Sequence, residues 1–296
     1  MKHPYGSFVK CETVEVQFPP QHQRVQPGLE WLMHPNPISE DPDYKGSGKL
    51  KGKVAIVTGG DSGIGRAVSI AFAKEGADVV IVYLYEHKDA EITKKRIEEL
   101  GRRCLTISVD LGHEWASSLV IERTIEKLGK IDVLVNNCGE QHVAHSIEKI
   151  SAHQMIRTFQ TNIFSFFYMT KAVLPHMGRG SSIVNTASIT AYEGEKTLID
   201  YSATKGAIVS FTRSLSLSLA DQGIRVNGMA PGPIWTPLIP ASFSAQRIMT
   251  FGLETPMKRA GQPYELAPAY VYLASDESSY MTGQVLHPNG GVISES

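Results

Sequence analysis

A single α/β domain built on a doubly wound parallel sheet is the fold expected of this 296-residue chain, and three observations carry that expectation. Short apolar runs alternate with segments of helical period, the pattern of successive β-α-β units. The first unit, KVAIVTGGDSGIGRAVSIAFAKEGADVVIVY, passes from strand to helix through closely spaced glycines. The residues richest in chemistry fall at or just past strand C-terminal ends, where open parallel sheets gather their ligands.

The elements follow in chain order. Residues 1–50 hold seven of the sixteen prolines and show no helical or strand period, so residues 1–48 are expected to be an extended, Pro-rich N-terminal arm ahead of a domain over 49–296. Phe8, Val14, Val16, Phe18, Leu29, Trp31, Leu32 and Met33 are too many apolar side chains for a solvated tail, which points to an arm clamped on the domain or on a neighbouring subunit. Val54 to Val57 reads as a buried strand, followed by a helix ending near Gly76 and a strand from Val79 to Tyr83. Asp89 to Leu100 is a helix stopped by Gly101, Cys104 to Val109 a strand, Glu114 to Leu128 a helix, and Ile131 to Val135 a strand that is apolar but for Asp132. Ser151 with Gln154 has the pattern of a capping box opening a long helix toward His176. Ser182 to Ala187 is the fifth strand, Tyr201 to Asp221 a helix and Ile224 to Met229 the sixth strand. Pro263 to Ala274 is a short helix, and Gln284 to His287 closes the sheet. On this reading Thr58-Gly59, Tyr83, Asp110, Asn136 and Ser188 all converge on one crevice.

Composition narrows the partners. The formal net charge is −1 and no dense Lys/Arg cluster occurs, so neither nucleic acid nor an anionic membrane is expected. No apolar run approaches the roughly 20 residues of a spanning helix, and MKHPYGSFVK lacks the core of a signal peptide; a cytoplasmic location is expected. Cys11, Cys104 and Cys138 are an odd set without C-x-x-C spacing and suit free thiols. His142 and His145 lack a third ligand at metal spacing, so no metal is expected.

Tyr201 and Lys205 stand four positions apart, so on a helix both side chains share a face. A free phenol titrates near 10, and a neighbouring ammonium favours the phenolate; Tyr201 then becomes a usable proton carrier. Gly59, Gly63 and Gly65 permit a tight turn into a helix whose N-terminal amides suit a pyrophosphate. Their G-x-x-x-G-x-G spacing differs from the general G-x-G-x-x-G, and Arg66-Ala67 excludes a P-loop.

Together these motifs resemble the short-chain dehydrogenase/reductase family from about Lys49 to the C-terminus, in its glucose/ribitol-dehydrogenase-like branch with general-stress-type oxidoreductases. Thr58-Gly59-Gly60-Asp61-Ser62-Gly63-Ile64-Gly65 matches the cofactor turn, Asn136-Asn137-Cys138-Gly139 the N-N-A-G motif, and Arg225-Val226-Asn227 with Pro231-Gly232 to Thr236 the segment over the nicotinamide. The resemblance implies a Rossmann fold and an NAD(P)-dependent oxidoreductase for a secondary alcohol or carbonyl, a sugar or polyol by branch. It implies a catalytic tetrad of Asn162, Ser188, Tyr201 and Lys205: Tyr201 exchanges the proton, Ser188 hydrogen-bonds the reacting oxygen, Lys205 grips the nicotinamide ribose, and Asn162 holds a water of the proton relay. For the cofactor it implies Gly59, Ser62, Gly63, Ile64 and Gly65 at the pyrophosphate turn, Asp110 and Leu111 at adenine, and Asn136 and Gly139 along the adenosine ribose. Pro231, Gly232, Ile234 and Thr236 are implied at the carboxamide and phosphates.

Two departures stand out. Cys138 replaces an alanine, a packing change. Tyr83 stands where NAD-specific members place an aspartate, yet Gly60, Asp61 and Leu84 supply no base for a 2′-phosphate; Glu86 could take the ribose, and His87 with Lys88 a phosphate. NAD is expected ahead of NADP, with either usable. The family also implies a homotetramer joined through the Ser151–His176 and Tyr201–Asp221 helices. Acyl-thioester ketoreduction and a non-catalytic dinucleotide sensor are the competing functions; near-neutral charge argues against the first, the complete tetrad against the second.

Overall fold

The computed structural model describes residues 17–294; Phe8, Cys11, Val14 and Val16 lie outside the described residues. Seven strands make one sheet: β1 (Val54–Thr58), β2 (Asp78–Tyr83), β3 (Cys104–Ser108), β4 (Val133–Asn136), β5 (Ser182–Thr186), β6 (Arg225–Met229) and β7 (Val285–Leu286). Their spatial order is β3-β2-β1-β4-β5-β6-β7, with every pairing parallel. β1, β4 and β5 are buried at every position, which is why Val54–Val57 and Val133–Val135 read as continuous apolar runs instead of alternating ones.

The helices are α1 (Gly63–Lys74), α2 (His87–Glu99), α3 (Glu114–Leu128), α4 (Ala152–Phe159), α5 (Ser165–Val173), α6 (Thr190–Glu193), α7 (Ile199–Leu219), α8 (Leu238–Ser242), α9 (Ala245–Ile248) and α10 (Pro263–Ala274). On one face of the sheet Ala67, Ala71 and Phe72 of α1 pack with Leu266, Tyr270 and Val271 of α10. On the other, Val120 and Ile121 of α3 and Met169 and Val173 of α5 cover Ile56, Leu134 and Ile183. Each enclosed side chain of this size contributes about 1.5–3 kcal/mol, so two such layers hold the sheet rigid beneath the strand ends.

Three elements differ from expectation. The long helix expected from Ser151 to His176 is interrupted by a π-helical turn over Gln160–Phe164 and closes in a 3-10 turn over Leu174–His176. Only half of the capping box forms: Ser151 Oγ accepts from Gln154 N at 3.1 Å, whereas the Gln154 amide is drawn away to Asp200 Oδ2 at 3.0 Å. β4 starts at Val133, and β7 has only two residues.

Residues 17–48 lie against their own domain. Phe18 stacks on the fully buried Trp235 with ring centroids 3.8 Å apart and planes 7° from parallel, and Met33 joins the same cluster with Ile239, Ile248 and Phe251. Trp235 Nε1 donates to Pro35 O at 2.9 Å, and Glu30–Leu32 forms one 3-10 turn. Trp31 and Leu32 face solvent, with the Lys88 ammonium 3.6 Å above the Trp31 ring. The apolar run GLEWLM is therefore divided between a buried side and an exposed one.

Candidate active site

One cleft of about 460 Å³ opens above the C-terminal ends of the strands. At its floor β1 ends in Thr58, whose Oγ1 accepts from Asn137 N at 2.8 Å and Cys138 N at 3.1 Å, joining the ends of β1 and β4. Gly59 then turns with φ +63°, a left-handed conformation costly for a side chain, and its N–H donates to Val82 O at 2.7 Å. A Cβ on Gly65 would stand 1.9 Å from Gly59 O, so only glycine lets α1 approach this turn. Arg66 locks the turn from behind, its Nε donating to Asp61 O at 2.9 Å and to Thr93 Oγ1 at 2.8 Å.

Ser188 sits two residues past β5 and accepts from Thr190 N at 3.2 Å. Tyr201 and Lys205 project from the start of α7, both buried, with Nζ of Lys205 5.4 Å from the Tyr201 ring centroid. The ammonium donates to Thr186 O at 2.9 Å. The electrostatics differ from the expected depressed phenol. Burial pushes Tyr201 up to about 12, against a hydrogen bond with Ser188 that pulls it down, and burial brings Lys205 down to about 8. Desolvation outweighs pairing: both groups are almost wholly buried, and one N–H of Lys205 is taken by a backbone carbonyl.

Asn162 lies in the π-helical turn, fully buried, and clasps the segment after β4: its Oδ1 accepts from Glu140 N at 2.8 Å and its Nδ2 donates to Glu140 O at 2.9 Å. The same amide donates to Thr204 Oγ1 at 3.1 Å, between Tyr201 and Lys205 on α7. The side chain is thus a brace, and the extra residue of the π turn is what aims it inward.

Gly59, Ser62, Gly63, Ile64, Tyr83, Asp110, Leu111, Gly139, Ser188, Tyr201, Lys205, Pro231, Gly232, Ile234 and Thr236 line the cleft. Gly65, Asn136 and Asn162 stand behind its wall. Asn136 is fully enclosed and donates to Asn185 Oδ1 at 3.0 Å and Thr170 Oγ1 at 3.4 Å, because the last residue of β4 turns its side chain into the sheet–helix layer. Asn137 and Cys138 reach the cleft in its place. Burial pushes the Cys138 thiol above its usual range, as suits a packing residue.

The acidic groups are the part of the lining that sequence reasoning weighed least. Asp61 and Glu86 both border the cleft near Tyr83. Burial, then the Glu86 charge, holds the Asp61 carboxyl above the usual range, and its Oδ2 has no hydrogen-bond partner. Glu86 Oε2 accepts from Tyr85 N at 2.6 Å and Leu84 N at 3.2 Å. Across the cleft Arg157 bridges Asp110, at 2.7 Å, and Glu140, at 3.3 Å. Pro27 and Gly28 of the arm also line it, a role with no signal in the local sequence.

Comparison with known proteins agrees with this geometry. Residues 59–293 match the family model described as enoyl-(acyl carrier protein) reductase. The glucose and ribitol dehydrogenase of Daucus carota is 54% identical over 283 residues, covering 94% of this chain and 97% of its own. The chloroplastic NADPH-dependent aldehyde reductase 1 of Arabidopsis thaliana is 53% identical over 280 residues, covering 92% and 97%. A short chain dehydrogenase from Burkholderia cenocepacia J2315, solved in complex with NADP, superposes with a TM-score of 0.77 at 30% identity over 82% of this chain and 98% of that one. The fold, the cleft and these matches define a nicotinamide-dependent oxidoreductase. The chain belongs to the short-chain dehydrogenase/reductase family and acts on small-molecule alcohols or carbonyls.

Proposed function

We propose that the chain interconverts a neutral polyhydroxylated alcohol, a sugar or polyol, and its carbonyl form, with NAD preferred over NADP. The observation that carries this reading is the acidic lining of the cleft. Asp61 and Glu86 flank the adenosine end, Glu193, Glu195 and Glu254 the outer part, and of the cations there Arg157 is held by Asp110 and Glu140 while Arg247 lies 3.9 Å from Glu254. Such a lining disfavours a 2′-phosphate, an acidic sugar or a phosphopantetheine arm, and it suits hydroxyl donors. Asp61, which lines the cleft with Oδ2 unpartnered and its carboxyl held toward the neutral form, can hydrogen-bond a ribose hydroxyl, which is what NAD offers and NADP replaces with an anion. The relatives with NADPH or NADP in their descriptions make dual use the natural alternative.

The bound nicotinamide supplies a hydride acceptor or donor at C4. Ser62 and Ile64 would hold the pyrophosphate on a turn shaped by Gly59, Gly63 and Gly65, with Tyr83 and Asp61 at the ribose and Asp110 and Leu111 at adenine. Gly139, Pro231, Gly232, Ile234 and Thr236 would flank the nicotinamide half. Tyr201 passes the proton to or from the substrate oxygen, and Ser188 donates to that oxygen, where charge develops. Lys205, released from Thr186 O toward a ribose hydroxyl, would bring its charge to bear on Tyr201. Asn162 and Asn136 support this machinery from behind, Asn162 through Glu140 and Thr204.

Two exposed aromatics, Phe164 (41%) and Phe167 (52%), with Phe211 4.3 Å from Phe167, support assembly into a homotetramer. On α7, Ile208 and Leu219 are buried within the subunit, so the interface reading rests on the phenylalanines. A cytoplasmic location is in keeping with the free thiols of Cys104 and Cys138, and no described helix is long and apolar enough to cross a membrane. The reading is tested by assaying reduced-cofactor absorbance with glucose, ribitol, simple ketones and sugar phosphates, and by titrating NAD and NADP calorimetrically. Turnover of neutral polyols with tighter NAD is expected; preference for phosphorylated substrates or a large preference for NADP would overturn it.

A further inference from the structure

The arm delivers a carboxylate to the cofactor turn. Glu30 is 1% exposed although it belongs to a segment that elsewhere meets solvent. Its Oε2 accepts from Gly63 N, the first residue of α1, at 2.6 Å, and its Oε1 pairs with the Arg66 guanidinium. Arg66 is the residue that grips Asp61 O and so fixes the middle of the G-x-x-x-G-x-G turn. Asp89 on α2 completes the knot: it accepts from Glu30 N at 2.8 Å and Trp31 N at 3.2 Å, and its Oδ1 lies 3.2 Å from Arg66.

This is a costly arrangement to build by chance. Burial lifts the Glu30 carboxyl above its usual range in spite of Arg66 and the Gly63 amide. A buried ion pair adds little net stability, so its better-founded use is to specify one local geometry. Here the geometry specified is that of the turn, and the segment that supplies Glu30 goes on to form the cleft wall. Pro27 O accepts from Tyr85 Oη at 2.9 Å, Gln26 exchanges hydrogen bonds with the Gln141 backbone, and Gly28 meets Pro237 O so closely that a Cβ would stand 2.3 Å away.

We propose that Glu30 is a positioning residue for the dinucleotide, acting from the arm through Gly63 and Arg66 to hold the pyrophosphate turn in its binding conformation. A carboxylate that only anchored the arm would affect unfolding and leave affinity alone. One that shapes the turn affects every ligand carrying the ADP moiety, and it does so equally whether or not nicotinamide is present. This inference rests on assigning the Gly59–Gly65 turn to the dinucleotide.

The test compares full-length wild type with Glu30→Gln, which keeps the volume and removes the charge, by calorimetric titration with ADP-ribose and NAD at a temperature where circular dichroism shows both folded. The expected result is a rise of at least fivefold in both dissociation constants by the same factor, a matching rise in KM for NAD, and kcat at saturating NAD within twofold. An ADP-ribose affinity within twofold of wild type overturns the proposal, as does a loss confined to kcat. Should Glu30→Gln not fold, Glu30→Asp retains the charge but withdraws it by one methylene from the Gly63 amide, and the same criteria apply. If wild type itself bound no ADP-ribose, the assignment of the turn would fall instead of the role of Glu30.

Discussion

Lys205 is subject to two opposed demands. In the proposed mechanism it is cationic and lowers the Tyr201 pKa, yet it is 3% exposed and its ammonium donates to Thr186 O. Burial lowers its pKa from the ordinary 10.5 to about 8, so the folded state binds fewer protons than the unfolded chain between those values. The resulting penalty is full below about pH 8 and fades as pH rises toward 10.5. Lys205→Met is therefore expected to raise Tm at pH 7, by an amount equivalent to about 1–2 kcal/mol after the lost hydrogen bond, and to lose turnover. Calorimetry at pH 7 and pH 10 checks this: the advantage should shrink at the higher pH, and a lower Tm than wild type at pH 7 would show that the buried charge is compensated. The spacing of Tyr201 and Lys205 puts them on one helix face, and the motifs around them are what mark the pair as a site. Their pKa directions were not legible, because desolvation depends on everything packed around them.

Elements with strong local signals were read to the residue. Glu114–Leu128 ends where Gly129 takes φ 86°, and Pro263–Ala274 opens on a capping box from Gln262 and Glu265 with proline in the first turn. The interruption of the helix after Phe159 had no such signal, since the cause is a distant partner: Asn162 reaches Glu140 and Thr204 only once β4 and α7 are in place. The turn of Asn136 away from the cleft was equally hidden, because motif position places a residue at a strand end without saying which side of the sheet it faces. That same broken helix leaves Phe164 and Phe167 outward. Phe167→Glu puts a charge in the proposed interface, and light scattering is expected to show a tetrameric wild type and a smaller variant species with nearly unchanged circular dichroism. A monomeric wild type would refute the interface.

At the scale of the whole molecule, two packed layers hold seven parallel strands so that residues far apart in sequence meet in one cleft, and Pro27 and Gly28 of the N-terminal segment join its lining. The βαβ alternation made the sheet legible; the arm's route was not, because the contacts that dock it, such as Phe18 with Trp235 and Glu30 with Gly63, are long-range. In the proposed mechanism the chemistry turns on one atom of this assembly, the Tyr201 hydroxyl. Tyr201→Phe deletes that oxygen and little volume, so the cleft should remain intact. The most direct measurement is the steady-state rate of wild type and Tyr201→Phe on the same polyol with saturating NAD, together with each protein's NAD dissociation constant. A rate at least ~10²-fold lower with NAD affinity within twofold is the expected result; a variant that kept most of the wild-type rate would contradict proton transfer through Tyr201.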